Sequence, residues 1–202
     1  MFNNELKLSL EECLNKIMLS VQNGYFYDRP FKHLIVDDFF SPQIADNSLK
    51  AFDLSHSKNW DVSDDKDIEI KWRSKWQSEI DVPESILPCV RILNSAPFLK
   101  ALSKIFKIDG ILMDPYFSGG GLNITPKDGL LDVHVDGNFH DLTGMNRRLN
   151  AILYLNKNWE SSWGGELGLY DKTGENLEKK IEPIFNRLFI FQTNDFSFHG
   201  LP

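Results

Sequence analysis

From about residue 110 onward the chain runs in short bursts of Ile, Leu, Val, Tyr and Phe, each cut off by Gly, Asn, Asp or Pro. Helices need ten or more periodic residues, so this texture predicts strands, near 111–117, 130–136, 148–156, 166–171, 180–184, 187–192 and 196–199. Several short strands at such close spacing close into a sandwich or barrel. Arg187-Leu188-Phe189-Ile190-Phe191 is the most strand-like, apolar at consecutive positions as a strand covered on both faces should be.

The first half reads differently. Leu6, Leu10, Leu14, Ile17, Met18 and Val21 recur at helical spacing and predict a helix over 4–22, ending at Asn23-Gly24. His33-Leu34-Ile35-Val36 reads as a strand, and Ser41-Pro42 as the start of a helix reaching about His56, with Ser as N-cap and Pro in the first turn. Residues 57–82 are polar, with Asp64-Asp65-Lys66-Asp67 at their centre, and predict a long surface loop able to act as a lid. Helices follow over 83–94 and 97–107, parted at Pro97. No repeat or linker divides the 202 residues. The expectation is one α+β domain, helical over 1–108 and β over 109–202, with the N-terminal helices packed on one sheet of a double-stranded β-helix, a jelly roll.

Bulk properties exclude some roles. The net charge is −7, so no basic footprint for nucleic acid exists beyond the local Lys71-Trp72-Arg73-Ser74-Lys75-Trp76 patch, which reads as a solvated loop or a substrate-side surface. The opening Met1-Phe2-Asn3-Asn4-Glu5 lacks a signal-peptide pattern, and no run has the length of a membrane span. The two cysteines, Cys13 and Cys89, build no disulfide framework. The expected setting is cytoplasmic, without membrane or nucleic-acid partners; the oligomeric state is left open.

The chemistry concentrates in Leu131-Asp132-Val133-His134-Val135-Asp136. On a strand, His134 and Asp136 share one face while Val133 and Val135 take the other. An imidazole and a carboxylate so placed are two metal ligands. His199, after the Arg187–Phe191 strand and the Thr193-Asn194-Asp195 turn, can supply the third. Two histidines and one carboxylate leave coordination positions open, the pattern of non-haem iron(II) oxygenases. The competing reading is three hydrogen-bonded core residues. His33, His56 and His140 are assigned to the core, with His140 also a candidate substrate-side group.

The surroundings add a family resemblance. His134-Val135-Asp136, then Arg148-Leu149-Asn150-Ala151-Ile152-Leu153-Tyr154-Leu155-Asn156, Gly164-Gly165-Glu166-Leu167, Ile181-Glu182-Pro183, and Asn186-Arg187-Leu188-Phe189-Ile190-Phe191 leading to Phe198-His199-Gly200 resemble, in order and spacing, the 2-oxoglutarate oxygenases of the prolyl 4-hydroxylase superfamily. Pro30-Phe31-Lys32-His33-Leu34-Ile35-Val36 resembles the family's opening strand, and Gly119-Gly120-Gly121 a lead-in seen in bacterial and phage members. The resemblance implies a cupin-like core and Fe(II) on His134, Asp136 and His199. It implies 2-oxoglutarate and O₂ as co-substrates, with ascorbate as an accessory reductant. Tyr154 would contact 2-oxoglutarate through its hydroxyl, Leu167 would line that pocket, and Gly164 and Gly165 would form a strand turn. The substrate implied is a prolyl residue of a peptide or protein, small molecules being the alternative. The family also carries an Arg or Lys about ten residues past the distal His, for the far carboxylate of 2-oxoglutarate. That position, with its strand, falls past Pro202, and Arg147, Arg148 and Arg187 do not match it. Two other readings remain: a non-catalytic cupin-type metal- or ligand-binding β-sandwich, and an oxygenase fold serving as an interaction protein.

Overall fold

The structure is a computed structural model and describes residues 2–52 and 60–201. Helix α1 (Phe2–Gln22) lays Cys13 and Ile17 into the core, with Leu6, Leu10, Leu14 and Val21 beside them. Met18 turns outward, 47% exposed, and Cys13, absent from the expected stripe, is buried on its other edge. Gly24, at φ +83°, turns the chain out of α1. Strands β1 (Phe26–Tyr27) and β2 (His33–Val36) follow.

Helix α2 (Pro42–Leu49) begins as expected: Ser41 Oγ accepts the Ile44 N–H, and Pro42 stands in the first turn. It stops at Leu49, short of His56, which lies outside the described residues. Helix α3 (Leu87–Leu93) and α4 (Ala96–Phe106) occupy the predicted stretches. Pro97 does not separate them but sits in the first turn of α4, where a missing N–H costs nothing. Phe98, Leu102 and Phe106, one turn apart, bury the inner face of α4.

The expected long loop over 57–82 is largely a hairpin. β3 (Trp60–Asp65) and β4 (Glu69–Ser74) pair antiparallel, Trp60 opposite Ser74 and Asp65 opposite Glu69. Charge hides the alternation: Ile70, Trp72 and Ser74 share one face, and Glu69, Lys71 and Arg73 the other. What makes β4 a strand is pairing with residues far along the chain, with β5 (Asn123–Ile124) and with β6 (Leu131–His134).

The strand expected over 111–117 is absent. Asp114 accepts the N–H groups of Tyr116 and Ser118 at 2.9 and 2.7 Å, which folds the segment into a turn. The remaining strands are β7 (Leu149–Tyr154), β8 (Leu167–Tyr170), β9 (Leu177–Ile181), β10 (Arg187–Gln192) and β11 (His199–Leu201). β9 ends before Pro183 and β11 starts at His199, so both are displaced from their expected spans by about three residues.

Two antiparallel sheets result. One runs β1-β2-β10-β7; the other runs β3-β4-β6-β11-β8-β9, with β5 on β4. The helices cover the outer face of the first sheet through Leu34, Val36, Leu188 and Ile190. Phe189 and Phe191 point the opposite way, toward Leu167, Leu169, Ile181 and Phe31 between the sheets. All four residues from Leu188 to Phe191 are fully buried, which is why that run is apolar without alternation. Asn186 locks the start of β10: its Oδ1 accepts Phe40 N–H and its Nδ2 donates to Phe40 O, both at 2.9 Å. Cys13 and Cys89 are free, buried thiols, each pushed up to about 12 by desolvation.

Candidate metal centre

The centre lies at the end of β6 and the start of β11. These strands pair antiparallel with His199 directly opposite His134, so both imidazoles leave the same face, their rings 4.5 Å apart. Asp136 stands two residues past the end of β6. Its Oδ1 lies 3.7 Å from His134 Nε2 and 3.6 Å from His199 Nε2. One ligand atom from each of the three residues falls within 4.8 Å of the others.

Each donor is aimed. The Nδ1 of His134 lies 2.8 Å from Asp132 O, and that of His199 2.9 Å from Ser197 O. A carbonyl only accepts, so Nδ1 carries the proton and Nε2 turns its lone pair to the centre. Asp136 Oδ2 accepts Asn150 Nδ2 at 2.8 Å, which leaves Oδ1 facing the two imidazoles. Asn138 Nδ2 donates to Asp195, tying the loop after β6 to the loop before β11. The His199 side chain is 4% exposed, Asp136 21% and His134 36%, so the cluster is walled at the back and open in front.

Protonation follows from this packing. Burial would raise Asp136; contact with His134, the charge of His199 and the Asn150 hydrogen bond outweigh it and hold the carboxyl at about 2. Asp136 in turn raises His134. Burial lowers His199. Two neutral nitrogens and one anionic oxygen are a donor set suited to a divalent transition metal, and Fe(II) fits it.

The other candidates disperse. Tyr154 and Leu167 both face the space between the sheets, Leu167 5% exposed, and burial raises the Tyr154 phenol. Tyr154 shares its face of β7 with Asn150 and Ile152, which points it into the layer that holds Asp136. Gly164 and Gly165 adopt φ of +67° and +84° in the turn before β8, and open space surrounds both, so backbone conformation is what requires glycine there. Arg147 donates to Ser118 O, and Arg187 is forked onto Asp37 with Nη2 to Oδ2 at 3.0 Å. His33 is fully buried, with Nδ1 on Phe31 O and no partner for Nε2, and burial lowers it to about 4. His140 lies away from the triad, its Nε2 3.0 Å from Asp114. Neither Asn150 nor Asn138 stands out in the sequence. The available signal was a polar residue, Asn150, on the face of β7 otherwise occupied by Ile152 and Tyr154.

Fold and donor set together define a jelly-roll protein with a two-histidine, one-carboxylate group able to hold a divalent metal. Residues 120–202 match the model of the 2OG-Fe(II) oxygenase superfamily, a family whose members use Fe(II), 2-oxoglutarate and O₂. Prolyl 3-hydroxylase OGFOD1 of Mus musculus is 28% identical over 178 residues, 84% of this chain, and the chain spans 29% of that protein's length. A Trichoplax adhaerens prolyl hydroxylase, solved with a hypoxia inducible factor oxygen degradation domain peptide fragment, superposes with TM-score 0.57 at 17% identity, covering 98% of this chain and 85% of its own. A Pseudomonas putida prolyl-4-hydroxylase gives 0.53 at 15% identity, covering 94% and 91%. A Phytophthora capsici prolyl 4-hydroxylase gives 0.59 at 17% identity, covering 95% and 60%. Over residues 120–202 the chain is similar to the 2-oxoglutarate/Fe(II) oxygenases, and it shares the fold of the solved prolyl hydroxylases. Among the described residues no helix is long and apolar enough to cross a membrane.

Proposed function

We propose that this chain is an Fe(II)- and 2-oxoglutarate-dependent dioxygenase that hydroxylates a C–H bond of a prolyl residue in a peptide or protein, working as one unit over 1–202. The observation that carries it is the convergence of His134 Nε2, His199 Nε2 and Asp136 Oδ1 on one point, each held by a second contact. Fe(II) with 2-oxoglutarate and O₂ supplies the oxidising power for such a hydroxylation. The chain's part is to present three fixed donors and keep the remaining positions free. The apolar layer of Leu167, Leu169, Phe189 and Phe191 beside His199 keeps bulk water from the back of the site. Tyr154 would supply a hydroxyl for holding 2-oxoglutarate. In this reading a basic residue on a strand added at the outer edge of β7 would complete that contact. Peptide substrates are supported by the solved relative that carries a peptide.

The test is succinate release from 2-oxoglutarate by the anaerobically loaded protein on admission of air, with metal content measured beside it. Wild type should require Fe(II), and His134→Ala and Asp136→Ala should fall to background. Undiminished activity in both variants overturns the assignment. A cupin-type binding module retains metal and releases no succinate. A proline-containing peptide that gains one oxygen atom by mass spectrometry identifies the prolyl target.

A further inference from the structure

The basic-aromatic stretch 71–76 lies on a strand that borders the metal centre. β4 runs antiparallel beside β6, with Glu69 opposite Leu131 and the Ile70 and Asp132 N–H groups bonded across at 2.8 Å. Trp72 packs into the main core, and Ser74 Oγ turns inward to accept the Leu122 N–H at 2.9 Å. Glu69, Lys71 and Arg73 therefore project from the opposite face, and the charge of Lys71 is felt by both His134 and His199.

That face holds two adjoining hollows. One, of about 200 Å³, is lined by Asp61, Ser63, Glu69, Lys71 and Arg73. The other, of about 410 Å³, is bounded by Asp61, Arg73, Lys75, Trp76, Tyr116 and Phe117. Arg73 and Asp61 are common to both, so the hollows form one groove leading away from the ligands. Its far wall is stiff. Trp76 and Phe117 meet edge to face at 6.1 Å, and Asp114 pins the turn beneath them while His140 Nε2 holds Asp114 at 3.0 Å.

The charges in the groove are unevenly matched. Lys71 is paired with Glu69, and Lys75 with Asp61 at 3.2 Å. The Arg73 side chain, half-buried between them, makes no hydrogen bond or close ion pair among the described residues, and its charge is felt by Glu69. A guanidinium whose donors make no hydrogen bond, at the middle of a groove, has the fork geometry to take an incoming carboxylate. A phosphate backbone fits less well, because Asp61, Asp64, Asp65 and Asp67 line the same hairpin and repel a continuous anion.

We propose that Arg73 binds an acidic side chain of the substrate peptide, which lies along β4 with its target residue at His134, Asp136 and His199 and its flank against Trp76 and Tyr116. This rests on the oxygenase reading for the target, and on the groove alone for the acidic flank. The strand rise of roughly 3.3 Å per residue sets Arg73 about 7 Å beyond Lys71, so the acidic residue sits a few positions from the target.

The test uses two fluorescein-labelled proline peptides, identical except that three glutamates in one are glutamines in the other. Their affinities are read by fluorescence anisotropy with the full chain. The glutamate peptide should bind about tenfold tighter, Arg73→Gln should erase the preference, and Arg73→Lys should restore part of it. In wild type the preference should shrink as salt rises, a reading that survives if Arg73→Gln fails to fold. Equal affinity for the two peptides, a preference unchanged in Arg73→Gln or in high salt, or displacement of the glutamate peptide by a single-stranded oligonucleotide overturns the proposal. Loss of succinate formation with the peptide preference intact sinks the oxygenase reading alone; the reverse result sinks the groove alone.

Discussion

Replacing Asn150 with Ala removes the hydrogen bond from its Nδ2 to Asp136 Oδ2 and touches none of the three metal-facing atoms. The contact has one charged partner, and such hydrogen bonds contribute about 1.5–3 kcal/mol net. Asn150 is only half-buried, which places the effect toward the lower part of that range. A loss of about 1.5–2 kcal/mol corresponds to metal affinity weakened about 10- to 30-fold. Orienting residues behind metal ligands have effects of this size. The charge on Asp136 is not what changes. Its carboxyl is held at about 2 by His134 and His199 as well, so it stays ionised in Asn150→Ala at neutral pH. The lost affinity comes from freeing the carboxylate to rotate. The assay is anaerobic Fe(II) titration by calorimetry at neutral pH, with thermal melting to confirm an unchanged fold. A dissociation constant within about threefold of wild type would show that packing alone orients Asp136, and would refute a role for Asn150 in aiming it.

His33 should make stability depend on acid. Burial lowers it from 6.5 to about 4, so the folded protein binds its proton less readily than the unfolded chain. Stability is then full above the unfolded value and is lost as pH falls from about 6.5 toward 4, by about 3 kcal/mol at most. Urea unfolding of His33→Phe should show a flatter profile in that window, and a profile parallel to wild type refutes the assignment. Asn186→Ala should cost about 2 kcal/mol or more, because it strands the buried Phe40 N–H, removes one of two donors to Phe40 O, and puts Ala, less tolerant of left-handed backbone than Asn, at φ +63°; a change below about 1 kcal/mol in chemical denaturation would contradict this. Tyr154→Phe should raise the KM for 2-oxoglutarate about tenfold with kcat little changed. An unaltered KM would return Tyr154 to a purely structural role.

Strand content, the apolar run of β10 and the four helical stretches were legible in the sequence, because each depends on local periodicity or on a cap such as Ser41-Pro42. The donor types at His134, Asp136 and His199 were legible as well, through residue chemistry and the order of motifs around them. Other features were decided by partners distant in the chain. The stretch around Lys71 looks like a charged loop until β6 and β5 supply its hydrogen bonds. Residues 111–117 look like a strand until Asp114 diverts the backbone. Periodicity registers which face a residue takes, and it is blind to what pairs with that face. For the same reason Asn150 was invisible as the support of Asp136, since the two meet only when the two sheets close on one another. The sequence alone determined which groups could bind a metal; the pairing of β11 with β6, with Asn150 of the facing sheet holding Asp136, decided that their free nitrogens and oxygen face one point.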